Sequence, residues 1–150
     1  MPENIALGKV ESTLKDLIEI LRDSQQGFKE LGHRLQNADA KQFFLEETQR
    51  RAEYAAELEN ELHRIGVHDV KVTASHTGKA RLLWGEMQAS LSGGQKALFS
   101  TAERGDEIAT KAYVDALKED LPLPLREMLD RQNAHIQRAQ DKVKALHKLG

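Results

Sequence analysis

Apolar residues recur at spacings of three and four along most of the chain, the period that places side chains on one face of a helix. The first stripe runs through Leu14, Leu17, Ile18, Leu21, Phe28, Leu31 and Leu35. A second runs through Phe44, Leu45, Ala52, Ala55, Leu58, Leu62 and Ile65. A third, dominated by small residues, takes in Leu98, Ala102, Gly105, Ile108, Ala109, Ala112, Ala116 and Leu117. The last holds Leu125, Leu129, Gln132, Ile136, Ala139, Val143 and Leu146. The breaks between stripes are chemically distinct. Asn37-Ala38-Asp39 offers a helix cap, Gly66 a C-terminal stop, Gly93-Gly94 a turn, and Asp120-Leu121-Pro122 an end that proline enforces. The pattern predicts helices over 11–35, 38–65, 95–119 and 123–148.

The stretch between the second and third of these behaves differently. Val67 to Thr73 is short and β-branched and reads as a loop. Ala80, Leu83, Trp84, Met87 and Leu91 then recur at helical spacing, which predicts a short helix over 78–91. Short links make each flanking helix pair antiparallel, and the long middle connection can run the length of a bundle. The expected fold is therefore all-α: a single-domain four-helix bundle of two antiparallel hairpins joined by a long crossover that contains a short helix. Sliding the chain by 83 residues superposes Asp23 on Asp106, Gln49 on Gln132 and Ala56 on Ala139, a weak hint of an internal repeat.

Composition narrows the function classes. A chain of 150 residues with 39% hydrophobic and 31% charged residues suits one soluble domain. Aromatics at 5% argue against a sheet-rich fold. Twenty-two basic residues against 24 acidic ones give a net charge of −2, without a basic footprint for nucleic acid or anionic lipid. The absence of cysteine excludes disulfides, thiolate metal sites and cysteine nucleophiles. No apolar run has signal-peptide length or approaches the ~20 residues of a membrane span, so a cytoplasmic location is expected.

Several motifs carry less chemistry than they suggest. Leu91-Ser92-Gly93-Gly94-Gln95 spells an ABC-ATPase signature, but no P-loop accompanies it: Gly78-Lys79 is followed by Ala80. It reads as a helix end and a helix start. Glu30 and His33 have metal-ligand spacing but lie off the apolar stripe, where they should face water. Glu59 and His63 form an ordinary pair one turn apart. The polar residues on or beside the stripes are more informative. Gln132 lies on the stripe of the last helix with His135 nearby. Glu46, Gln49 and Glu53 border the second stripe, Glu103 and Asp106 the third, and Gln25 and Gln26 the first. Polar groups from all four helices at mid-height have the geometry of a carboxylate-bridged metal site. They suit equally a buried hydrogen-bond layer that fixes how the helices align, and glutamine favours that layer because its amide is a weak ligand for iron or manganese.

The chain resembles an uncharacterised bacterial family of ferritin-like four-helix-bundle proteins, known as a domain of unknown function. The resemblance is carried by Leu14-x-x-Leu17-Ile18, Asp23-Ser24-Gln25-Gln26-Gly27-Phe28, Gln49-Arg50-Arg51-Ala52-Glu53 and Leu83-Trp84. It continues through Glu103-Arg104-Gly105-Asp106-Glu107, Ala112-Tyr113-x-x-Ala116-Leu117 and Gln132-x-x-x-Ile136, and spans about residues 11 to 148. It implies a ferritin-like fold and no particular activity. Ferritin-like proteins often hold two metals through a Glu on each of two helices and Glu-x-x-His on each of the other two. This sequence departs from that set, with Glu46-x-x-Gln49 on the second helix and Gln132-x-x-His135 on the fourth. On the first helix Gln25 and Gln26 stand where a Glu would serve, and only Asp23 is acidic close by. Good acids occur only on the third, as Glu103, Asp106 and Glu107.

The candidate metal set is thus Glu46, Gln49, Glu53, Glu103, Asp106, Gln132 and His135, and it looks degenerate. The expected function is a non-catalytic binding or stress-related role, with no catalytic residues and no cofactor. A partner would be a second copy or another protein docking on Trp84 and Met87, but the favoured reading of Trp84 is that it covers the side of the bundle. The alternative is a ferritin-like iron-handling protein or oxidase using two irons or a single divalent ion, the latter at Glu103 and His135. A small-molecule carrier is a third reading, suggested by the stripe of Ala102, Gly105, Ala109 and Ala112.

Overall fold

The computed structural model describes residues 7–67 and 94–149. These form four helices: α1 (Leu7–Arg34), α2 (Ala38–Arg64), α3 (Gly94–Leu117) and α4 (Leu123–Leu149). Among the described residues there is no strand, and no helix is long and apolar enough to cross a membrane. The short helix expected over 78–91, with Trp84 and Met87, lies outside the described residues.

The helix ends are set by local chemistry. The Asn37 side chain accepts a bond of 2.9 Å from the Ala40 amide and caps α2. α2 closes in a Schellman arrangement: the Gly66 amide donates to the His63 carbonyl and the Val67 amide to the Leu62 carbonyl. Gly66 makes this possible by adopting a φ of +100°. Arg126 of α4 reaches back to the end of α3, where its guanidinium donates to the carbonyls of Leu117 and Glu119, both at 2.7 Å. Those carbonyls lack helical partners.

α1 packs along α2 and α3 along α4, giving two hairpins that also meet through α1 and α3. α1 and α3 run antiparallel. Lys9 pairs with Glu119 at one end, and Gln95 bonds the backbone of Arg34 and Gln36 at the other. α2 therefore ends at the end of the bundle opposite the start of α3. Of the helix pairs that pack against each other, α2 and α4 approach least closely, and long side chains bridge them. Gly32 marks a close approach between α1 and α2, since a Cβ there would lie 3.2 Å from that of Phe44.

The apolar core is in two parts. One cluster includes Leu14, Ile18, Leu58, Tyr113, Leu125 and Leu129. The other includes Phe28, Leu31, Phe44, Phe99, Ala102 and Val143. Between them, near the middle of every helix, lie buried polar residues: Asp23 and Ser24 on α1, Glu47 and Arg51 on α2, Asp106 on α3, and Gln132 and Asn133 on α4.

Two expectations need correction. The stripe assigned to α2 passes through Leu45 and Ala52, but Leu45 is exposed and Ala52 only half-buried. The inward face instead runs through Phe44, Glu47, Arg51, Tyr54, Ala55, Leu58 and Leu62. The repeat at 83 residues also fails, because Gln49 and Ala56 are exposed while Gln132 and Ala139 are buried. Inward faces coincide at an offset of 81, which matches Leu17 to Leu98, Phe28 to Ala109, Arg51 to Gln132 and Leu58 to Ala139. Burial, set by helix packing, is what repeats.

Candidate functional site

Arg51 is the centre of the polar layer and is fully buried. Its Nη1 donates to Ser24 Oγ at 2.8 Å and to Asp106 Oδ1, and its Nη2 donates to Glu47 Oε1 at 2.9 Å. The guanidinium also lies 4.1 Å from the centre of the Phe28 ring, a cation–π contact. One side chain on α2 thus ties α1 and α3 to its own helix. Glu47 carries the layer on to α4: His135 Nε2 lies 2.9 Å from its Oε2 and 3.2 Å from its Oε1. An ionised carboxylate only accepts, so Nε2 carries the proton in this pair. The Tyr54 ring and the imidazole pack in a T-shaped arrangement, their centres 5.6 Å apart. Exposure falls steadily inward, from His135 at 24% to Glu47 at 6% and then Arg51 and Asp106 at 0%.

The electrostatics follow from having one guanidinium for two carboxylates. Burial disfavours the charge on Arg51, but Asp106 and Glu47 more than offset it and hold its pKa above the usual value. Asp106 moves up as well, to about 6. Burial is the main cause; Arg51 and His135 pull the other way, and the neighbouring Glu47 adds to the rise. The two shifts favour opposite charge states for the pair. Arg51 stays protonated in either case because its pKa lies so high, so Asp106 is the partner that titrates. Asp106 Oδ2 has no hydrogen-bond partner among the described residues, which leaves an oxygen free to take the proton.

A second chain of bonds lies beside the first. The Tyr113 hydroxyl donates to Gln132 Oε1 at 2.7 Å, and Gln132 Nε2 donates to Glu57 Oε1 at 3.0 Å. Arg131 closes on Glu57 Oε2 at 2.8 Å. Burial pushes the Tyr113 phenol well above its usual pKa, so it remains a neutral donor.

The predicted site residues are dispersed. Glu46, Gln49 and Glu53 all point to solvent from α2. Glu46 accepts from Gln42, and Glu53 pairs with Arg50. Glu103 bonds His147 at 3.1 Å, while His135 bonds Glu47, so the structure does not pair Glu103 with His135. Asp106 and His135 do belong to one layer, and Gln132, itself buried, donates to the part-buried Glu57. Among the described residues no three acidic or histidine side chains are grouped to hold a metal ion. Glu30 and His33 stay off the core, and Glu59 pairs with Arg22 across the hairpin. Gln95, the last residue of the LSGGQ stretch, ties α3 to the end of α1.

Glu47 and Arg51 were missed by the sequence pattern. Their signal was a gap: the assigned stripe jumps from Leu45 to Ala52, seven positions, whereas 44–47–51–54 keeps helical spacing throughout.

No curated protein matches the chain. A family model described as a domain of unknown function (DUF2383) matches residues 9–119, a span that contains Ser24, Glu47, Arg51 and Asp106. The chain belongs to that family.

Proposed function

We propose that this is a non-catalytic, cytoplasmic binding or stress-related protein built on a ferritin-like bundle, in which a side-chain cation has taken over the interior of a lost metal site. Two antiparallel hairpins, with the end of α2 opposite the start of α3, suit that fold. The single observation that carries the reading is Arg51. A ferritin-like metal centre needs carboxylates and imidazoles converging at mid-height, and here the guanidinium lies between Glu47 and Asp106 and takes an oxygen of each. A metal does not fit beside it, because a second cation would face its charge in a low-dielectric interior. The exposed positions of Glu46, Gln49 and Glu53 remove the other ligands expected on α2.

The test is elemental analysis of untagged protein before and after anaerobic incubation with ferrous iron. The expected outcome is no retained iron. Retention near two irons per chain would overturn the proposal in favour of iron handling, and make Glu47, Asp106 and His135 the first residues to change.

A further inference from the structure

The two hairpins meet along two edges that are built differently. On the α1–α3 edge the helices pack closely, and bonds pin both ends. Lys9 pairs with Glu119 at 3.5 Å, and Gln95 bonds the backbone of Arg34 and Gln36 at 3.3 and 3.0 Å. On the α2–α4 edge the backbones stand farther apart, and long side chains fill the gap. Glu57 accepts from Arg131 and Gln132, Glu47 bonds His135, and the Lys142 ammonium lies 5.1 Å from the centre of the Phe43 ring. Water reaches Arg131, Glu57 and His135, and ion pairs in that setting hold weakly. Parting the hairpins along this seam leaves the α1–α3 pins and the Tyr113–Gln132 bond intact. It draws Arg51 of one hairpin away from Asp106 of the other. It is also the side from which burial deepens, from His135 through Glu47 to Arg51.

We propose that the α2–α4 seam is a built-in opening: the hairpins part there, hinged on α1–α3, with the contacts of Glu57 and Glu47 as latches. The opening is the route by which water and small solutes reach the Arg51 layer. It is smaller than global unfolding, because the four helices and the hinge edge stay formed, so it occurs more often and exposes less surface.

The chain has no cysteine, so a single introduced thiol reports opening by its reaction with an aromatic disulfide reagent. One reporter is Ala139→Cys, buried on α4 one turn beyond His135. The other is Thr101→Cys, buried on α3 about five helical turns from Glu119 and so on the face that meets α1. The thiol at 139 is expected to react at least about tenfold faster than that at 101, with a weaker dependence on urea. Adding Glu57→Ala breaks a latch and speeds reaction at 139. Adding Gln95→Ala breaks a pin that stays made in the open form, and leaves the rate at 139 unchanged. Equal rates and equal urea dependence at the two positions overturn the proposal, as does a Gln95→Ala variant that speeds position 139 as much as Glu57→Ala does. Should either reporter fail to fold, Ala55→Cys on α2 and Ala116→Cys on α3 replace them as a pair, with the same order expected and the same equality overturning it.

Discussion

Arg51 and Asp106 are hydrogen-bonded to each other, both fully buried, from positions 55 residues apart on different helices. A buried ion pair adds little net stability when whole, because desolvating two charges consumes most of what their attraction returns. Breaking it is another matter, since the remaining charge has neither water nor partner. Arg51→Met should therefore cost about 3–5 kcal/mol in urea unfolding. Adding Glu47→Met and Asp106→Leu to Arg51→Met should recover most of that loss. A triple variant no more stable than the single one would show that the cluster is worth more than an apolar core.

Asp106 also gives the fold a pH dependence of definite sign. Its pKa rises from 3.8 in the unfolded chain to about 6 in the folded one, mainly through burial. Between these values the folded state holds more protons, so the contribution of Asp106 is greatest below about pH 4 and declines as pH rises through 6. The full swing is about 3 kcal/mol. Asp106→Asn removes it. The stability of wild type relative to Asp106→Asn should therefore fall between pH 4 and 6, as measured by urea unfolding at each pH. A difference that is flat or rising over that interval would contradict the assignment.

Tyr113 and Gln132 should be strongly coupled. Tyr113→Phe leaves the Gln132 carbonyl without its donor, and Gln132→Leu leaves the Tyr113 hydroxyl without its acceptor. Each single change should cost about 1–3 kcal/mol, the desolvation cost of a stranded polar group. The double variant should be less destabilised than the sum of the two, and a double-mutant cycle reads the difference.

Gly66→Ala should destabilise the protein by about 1–2 kcal/mol, because φ is +100° and a Cβ there crowds the backbone. The space around Gly66 is open, so the effect is conformational. Thermal unfolding checks it, and an unchanged midpoint would mean that the α2 terminus relaxes freely.

Much of this was legible in the sequence because periodicity and caps are local signals. The four stripes, the Asn37 cap and the Gly66 stop each depend on residues within one or two turns, and the described helices start and end within a few residues of the expected bounds. Gln132 was recognisable as a core residue because it interrupts an otherwise apolar stripe. Arg51 was harder to see. A long cationic side chain on a helix is ordinarily solvated, and what reverses that here is Asp106 and Ser24, brought from other helices by the fold. The same holds for Glu47, whose partners are Arg51 one turn away and His135 far along the chain. Glu103 and His147, by contrast, found each other on adjacent helices although neither was expected to pair that way.

The single guanidinium shared between Glu47 and Asp106 also constrains how this chain can change over generations. Losing any one member strands a charge in the interior, while losing all three together can be nearly neutral. Intermediates on the way from a charged layer to an apolar one are therefore less fit to fold than either end. The three positions are bound to persist or vanish as a block, and lineages that keep Arg51 should keep both of its acids.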